Sequence, residues 1–572
     1  MKRIVIFFAI AMVCAAIGRA AYQAAVAPDP PQLSRYVPAG SLLYLEARDF
    51  SSLLADWNSS AEKKQWVATS NYEVFSRSRL FLRLKGASDQ YAAAAGLPPN
   101  MTFLSQVAGT RSALALYDIG NIEFLYVTYL PSARSMQTTL WQTRAKFEPR
   151  SAGGVSFYVR RDPESQKEVA FAVSGDYLLL ATREDLLAGA LQLMSGSQNG
   201  EKDRTVESEQ WWSQAVAAAG PAGDLRMVMN LEKIVPSPYF HTYWVQQNIT
   251  DMKQYSAAVS DLFRSSRQYR EERVLIRKTS PPPIAPVGLE AAAGVVRLVP
   301  EGAGIYEAKA YPSADSCFDV IETKLLAPHL GPAPASEIAP QVQLTSGETG
   351  TGSDLETRID QSAVARPVTP QSASALKDLL DKTQILASLQ VQSTERDQSG
   401  VFIRIHSAVV LAAASDWNEA GVQFALADFI RPGLTAGEHG VVWQQNSGSS
   451  KLDGLWPLVI AVRGRYLLIA DDSRLIEALL ANFNHKSDMK PAVFVAGFNH
   501  EREQANFERF SGVLDRPNMA QSNIRGMERQ PQFFSENMAS LSATLAAISA
   551  EKIIVHVEGD KVLQTVTYEW SR

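Results

Sequence analysis

Cysteine is almost absent. The 572-residue chain has two, Cys14 and Cys317. Cys14 lies in an N-terminal segment read below as a leader, so its removal leaves Cys317 alone with no internal disulfide. Such a chain must rest on a packed core, and Cys317 is expected inside it as a small apolar residue. Long apolar runs are also missing. Ile4 to Ile17 spans about 14 residues, short of the ~20 that cross a bilayer. Neither sign of charge dominates: 55 Lys+Arg face 60 Asp+Glu, for a net charge of −5 and no Lys/Arg-rich block. That balance excludes nucleic acid as a partner.

Catalytic signatures are missing as well. There is no G-x-S-x-G elbow, no phosphate loop and no H-E-x-x-H. His500-Glu501 begins a zinc-like pattern, but Gln504 stands where the second histidine belongs. The other histidines are scattered, and Asn484-His485 and Asn499-His500, with Asp488 and Glu501 nearby, read as turns rather than metal ligands. Ser60-Ala-Glu-Lys63 and Ser549-Ala-Glu-Lys552 match S-x-x-K, yet the companion motifs of acyl-enzyme serines are lacking. Gly347 to Gly352 is glycine-rich, with no strand before it and no helix after it. No catalytic, metal-binding or cofactor-binding residues are assigned.

What is present begins with export. Lys2 and Arg3 precede the apolar run, and Gly18-Arg19-Ala20 and Ala25-Val26-Ala27 offer small residues at cleavage positions. Residues 1–27 are expected to be a signal peptide, or an N-terminal anchor if uncleaved. Membrane contact is expected only in the uncleaved form.

The chain then repeats itself. Gly175 to Leu191 reads GDYLLLATREDLLAGAL, and Gly464 to Leu480 reads GRYLLIADDSRLIEALL, at an offset of 289. Nine of the 23 pairs from Val169 to Leu191 are identical, more than chance supplies. Each copy reads as a strand apolar on both faces, a turn capped by Thr182 or Asp471, and a helix. In the first helix Leu187, Ala190, Leu191 and Met194 share one side. Arg35 to Tyr44 is echoed by Arg297 to Tyr306. The copies differ at Arg183-Glu-Asp185 and Asp472-Ser-Arg474.

The expected fold is α+β and internally duplicated, with antiparallel sheets carrying helices on one face. The units are 33–278 and 291–572, joined by a Pro-rich linker at 279–290, with a disordered insertion at 328–370. Helices are expected near Ser132 to Phe147, Tyr243 to Arg273, Asp416 to Phe429 and Phe533 to Ala550. A C-terminal hairpin, Lys552 to Val557 with Val562 to Glu569, has no clear counterpart in the first unit. Trp211, Trp212, Tyr239, Phe240, Tyr243 and Trp244 form an aromatic cluster that suits either partner binding or core packing.

The P-x-G-to-Tyr opening, followed after a gap of over 100 residues by the G-x-Y-L-L-hydrophobic-Ala strand and its Leu-rich helix, resembles a family of exported bacterial proteins described only as a domain of unknown function. The resemblance covers Arg35 to about Met194 and, more loosely, Arg297 to the C-terminus. It implies bacterial origin and export, and brings no catalytic residues. The expected function is that of an exported, non-enzymatic envelope or periplasmic protein binding another protein or an envelope component. Two alternatives remain: a hydrolase of envelope material, marked by convergent polar groups in a pocket, and a lipid or small-ligand carrier, marked by an apolar cavity between sheet and helices.

Overall fold

The computed structural model describes residues 32–97, 102–196, 204–238, 252–326, 374–434, 442–503 and 548–570, apart from short breaks at 61–62, 65–66, 69–71, 73–75, 78, 164, 266, 397–402, 447, 453–457 and 501. The first unit contributes β1 (Leu43–Ala47), β2 (Arg111–Asp118), β3 (Glu123–Tyr129), β4 (Glu148–Ala152), β5 (Val155–Arg161), β6 (Glu168–Ser174), β7 (Tyr177–Ala181), β8 (Leu225–Asn230), β9 (Tyr255–Arg264) and β10 (Gln268–Arg277). The second contributes β11 (Ile305–Ala310), β12 (Ile385–Arg396), β13 (Ile403–Ala413), β14 (Trp443–Asn446), β15 (Ser449–Leu452), β16 (Val459–Arg463), β17 (Tyr466–Ala470), β18 (Phe494–Asn499), β19 (Ile548–Glu558) and β20 (Lys561–Trp570).

All these strands pair antiparallel in one 20-stranded sheet. Followed by hydrogen-bonded neighbours, the first ten run β4-β5-β6-β7-β3-β2-β1-β8-β9-β10. The second ten run β14-β15-β16-β17-β13-β12-β11-β18-β19-β20, the same order. Registers match too: Val127 lies opposite Leu179, and Val410 opposite Leu468. The two sets meet where β10 pairs with β20, from Gln268 opposite Glu569 to Ile276 opposite Lys561.

The repeated motif forms as its residues dictate. Gly175 and Gly464 both turn the chain at a φ of +55°, a left-handed conformation that a Cβ would strain. The apolar strands β7 and β17 follow. Because side chains alternate across a strand, an all-apolar run must be covered on both sides. Helices therefore lie on both faces of the sheet, which corrects the expectation of one helical face. In the first unit the helices used below are α1 (Phe50–Ser59), α2 (Arg79–Ala95), α3 (Thr102–Val107), α4 (Glu184–Ser195) and α5 (Gln210–Ala218). Leu179 and Ala181 pack with Leu187, Ala190 and Leu191 of α4, while Leu178 and Leu180 pack with Ala92 and Ala95 of α2 and with Val107 of α3.

The second unit carries α6 (Pro286–Val296), α7 (Ala314–Ile321), α8 (Ser374–Lys382), α9 (Glu419–Leu434) and α10 (Ser473–Ala481). Leu468 and Ala470 meet Leu475, Ile476 and Leu479 of α10. On the opposite face Leu467 and Ile469 meet Leu376 and Leu380 of α8 and Leu426 of α9. The caps sit one residue later than expected, at Arg183 and Asp472; only Asp472 caps with its side chain, accepting from the Arg474 and Leu475 amides. Thr182 and Asp471 instead accept from the neighbouring strands, at Phe124 N (2.8 Å) and Ser407 N (2.9 Å).

Other expectations need correction. From Tyr255 to Arg273 the chain forms β9 and most of β10, not helix. Ala257 and Ala258 favour helix by propensity, but they lie buried mid-sheet, where packing outweighs propensity. The β9–β10 hairpin is thus the first unit's counterpart of the C-terminal hairpin. Residues 286–290, assigned to the linker, open α6 with Pro286 at its first turn, where a missing N–H costs nothing. The helix expected at Ser132 to Phe147 is broken into short turns at Ser132–Ser135, Thr139–Gln142 and Thr143–Lys146. The leader 1–27, the insertion 328–370 and most of the helix expected at 533–550 lie outside the described residues, while Ile548 to Ala550 begin β19. Among the described residues no helix is long and apolar enough to cross a membrane.

Leu179 and Leu468 are fully buried at matching positions. Truncating either to Ala is expected to cost about 2–5 kcal/mol, and Leu179→Asp, which buries a charge, to abolish folding. Denaturant melts check both; a soluble Leu179→Asp variant with an unchanged midpoint would contradict this packing.

Candidate functional site

The first unit is hollow on one face. Between its sheet and the α2–α3 layer lies a cavity of about 840 Å³. Its floor is the outward row of β2, β3 and β7, including Leu114, Phe124, Tyr126 and Leu180. Its roof is α2 and α3, with Leu84, Ala87, Tyr91, Phe103 and Leu104. The size falls in the range of small-molecule sites.

Polar groups in the wall are mostly satisfied within the protein. Tyr126 donates to Val107 O (2.8 Å) and lies 3.1 Å from Ser112 Oγ. Ser112 Oγ in turn lies 2.7 Å from Thr128 Oγ1. Tyr91 differs: its ring sits 5.6 Å from Phe124 and 6.3 Å from Phe103, and its buried hydroxyl has no hydrogen-bond partner. Burial raises its pKa, so it remains a donor.

One end of the cavity is framed by the β2–β3 and β5–β6 turns. Each holds a non-glycine residue in left-handed backbone, Ile122 at φ 54° and Gln166 at φ 57°. For a β-branched isoleucine this is a true outlier, maintained by its surroundings. Lys167 Nζ reaches across to Asn121 O at 3.5 Å, and Arg83 donates to Gly120 O, tying α2 to the same turn.

The rim contacts recur in the second unit with arginine and aspartate exchanged and a histidine in place of the glutamate. Arg183 binds Glu123 (2.9 Å) and Asp185 (2.5 Å), and the hydrogen bonds it donates to Asp185 and then to Glu123 raise its pKa. By strand register and motif offset, Glu123 corresponds to His406, Arg183 to Asp472 and Asp185 to Arg474. Asp472 lies 3.7 Å from His406 and 3.2 Å from Arg474. His406 also approaches Asp471 at 3.6 Å and Glu395 at 3.8 Å. Burial pushes the Asp471 carboxyl up to about 6; the Ser407 N–H and His406 oppose the shift, and Asp472 adds to it.

The two units also fill the equivalent space differently. Where the first unit has the cavity, the second packs Leu325, Leu376, Leu380, Val422 and Leu426 against Val409, Leu467 and Ile469.

The residues singled out from sequence fare unevenly. Trp211 and Trp212 are buried in the core, with Trp212 edge-to-face on Tyr44 at 5.0 Å, so their expected part in partner binding gives way to packing. Tyr239, Phe240, Tyr243 and Trp244 lie outside the described residues. Cys317 is buried, which pushes its thiol up to about 12. Ser60 accepts from Lys63 N (3.1 Å), while the Lys63 amine goes to Asn58 (2.5 Å), leaving no Ser–Lys pair. Ser549 sits at a register break in β19 and donates its hydroxyl to Glu569 O (3.2 Å). His500 packs on Phe498, and His556 Nδ1 lies 2.8 Å from Pro491 O. Among the described residues no group of His, Cys, Asp or Glu is placed to hold a metal ion. The cavity itself was not foreseen. Its signal lay in the unassigned stretch from Phe50 to Val107, where Leu84, Tyr91, Phe103 and Leu104 sit on helices.

No family profile matches the chain, and no curated protein matches it. A solved structure described as "Structure of crystal form I of TP0453" overlaps 44% of this chain and 80% of that one, with 9% identity and a TM-score of 0.23. A likeness that low supports no inference.

The raised folded pKa of Asp471 sets a pH dependence. The folded carboxyl holds its proton more tightly than the unfolded chain does, so its ionisation costs stability fully above about pH 6. That cost disappears as pH falls below the ordinary 3.8. Asp471→Asn keeps an acceptor for Ser407 N and removes the charge. It is expected to raise Tm at pH 8, with the gain shrinking toward pH 4.5; an equal shift at both pH values would contradict the assignment.

Proposed function

We propose that this is an exported, non-enzymatic protein that holds a small apolar or amphipathic ligand in the cavity of its first unit. The observation that carries the reading is the space itself. About 840 Å³ lies between sheet and helices, with a mainly apolar lining, in a unit whose counterpart fills the equivalent region with side chains. An apolar cavity of this kind favours a carrier over the other two readings. A hydrolase would want convergent polar groups free to act, whereas the rim carboxylates Glu123 and Glu168 face Arg183 and Arg161. A protein-binding role has lost Trp211 and Trp212 to the core. The leader at residues 1–27 supports export, with the ligand drawn from envelope material.

The shared strand order, the matching registers and the motif echo support an internal duplication. In that reading the second unit is a filled copy, and one site is expected per chain.

A neutral fluorescent probe, N-phenyl-1-naphthylamine, is expected to bind saturably at one site and to raise Tm with concentration. Ala87→Trp and Leu114→Trp, which place an indole in the cavity, are expected to abolish the signal while the variants stay folded. Unsaturable enhancement, or full binding by both variants, would overturn the reading.

A further inference from the structure

The cavity has two unlike ends. At the turn end, Asn121, Glu123, Arg161, Lys167, Glu168 and Arg183 contribute to the lining. The ladders place them together: Leu125 pairs with Ala181, Ala170 pairs with Ala181, and Arg161 pairs with Glu168, so the ends of β3, β5, β6 and β7 converge there. At the other end the lining is Leu45, Ala47, Phe50, Val107 and Leu225, where Ala47 pairs with both Ser112 and Leu225. The hydroxyl of Ser112 is the polar group there, and it is bonded to Thr128 and Tyr126. Along β2, from Ser112 to Asp118, the separation is roughly 20 Å at ~3.3 Å per residue. A ligand matching this wall is long, apolar over most of its length and polar at one tip.

The sign of the polar tip follows from the rim charges. Arg161 faces Glu168 at 3.2 Å, and Arg183 is held by Glu123 and Asp185. The Lys167 stem is partly buried and its ammonium is exposed at the rim, where it makes one long contact, 3.5 Å to the Asn121 carbonyl, with no ion pair among the described residues. An ammonium at the cavity mouth, held by one carbonyl and no carboxylate, is open to an anion beside it. The unpartnered Tyr91 hydroxyl, beside Phe124 in the same wall, is a second donor for an oxygen of the ligand.

We propose that the cavity binds a single-chain anionic amphiphile, an acyl chain ending in a carboxylate or phosphate, with its tail toward Leu45 and Leu225 and its head on Lys167. This rests on the carrier reading and adds ligand class, orientation and charge. The shared chemistry fits a free fatty acid or a lysophospholipid headgroup.

The test is displacement of bound N-phenyl-1-naphthylamine from the full chain by laurate, palmitate, hexadecanol, hexadecylammonium and lysophosphatidate. Palmitate is expected to displace the probe more strongly than laurate, by up to about fourfold per added buried methylene. Palmitate or lysophosphatidate is expected to exceed hexadecanol and hexadecylammonium by about tenfold. Whichever anion is stronger identifies the head group, and either result supports the proposal. Lys167→Gln is expected to remove the preference for the anion and leave hexadecanol unchanged, and Lys167→Arg to restore it. Lys167 lies in a surface turn, and probe binding by the variants reports their folding. Equal displacement by palmitate, hexadecanol and hexadecylammonium, or an anion preference that survives Lys167→Gln, would overturn the proposal while leaving the carrier reading intact. Failure of the neutral probe to bind would remove both.

Discussion

The structure depends on one backbone ladder, the antiparallel pairing of β10 with β20. Each unit builds ten strands and would otherwise end on a long exposed edge, open to pairing with other chains. Joined, the two edges satisfy each other. The pairing is polar as well as apolar. Glu271 forms an ion pair with Arg273, which also donates toward Gln564 at 3.4 Å across the junction. Burial works to raise the Glu271 carboxyl, but Arg273 and the Ser260 hydroxyl hold it below its usual range. Among the described residues the outer edges that remain are β4 and β14. The β4 edge carries Pro149 between Glu148 and Arg150, a proline and two charges that discourage further pairing.

Within that shared ladder, small substitutions decide what each unit contains. Tyr126 and Thr128 of β3 correspond to Val409 and Leu411 of β13. The first pair turns hydroxyls toward Ser112 and Val107 and leaves room beneath α2 and α3; the second joins a continuous aliphatic core with α8 and α9. The rim triad shows similar freedom. Where the first unit has Glu123, Arg183 and Asp185, the second has His406, Asp472 and Arg474, so the contacts recur with arginine and aspartate exchanged. Exposed ion pairs contribute little to stability, so either polarity serves the fold. What the exchange does alter is the field at the rim.

Sequence reasoning read well where pattern and packing agree. The G-x-Y-L-L strand and the helix after it fall where the apolar spacing puts them, because each apolar position there is a core position. It failed where tertiary context overrides local preference. The alanines of β9 favour helix in isolation and are strand here because both faces are covered. Glu271, Glu272 and Arg273 resemble solvent-exposed helix, yet they lie in a strand whose polar rungs are paired. The difference between Arg183-Glu-Asp185 and Asp472-Ser-Arg474 was visible in the sequence. Its compensation by Glu123 and His406 was not, since those residues approach only through the β3–β7 and β13–β17 pairings. The cavity was hidden for a similar reason. An empty volume leaves no motif, and its roof lies in a segment without a repeat partner.

A ligand held in the hollow of the first unit alone would protect that unit alone. Hydrogen–deuterium exchange on the full chain, with and without saturating palmitate, separates the two units. Added protection is expected in residues 79–107 and in the turns at 119–122 and 162–167, with residues 374–434 of the second unit unchanged. Protection spread equally over both units, or none in the first, would contradict this.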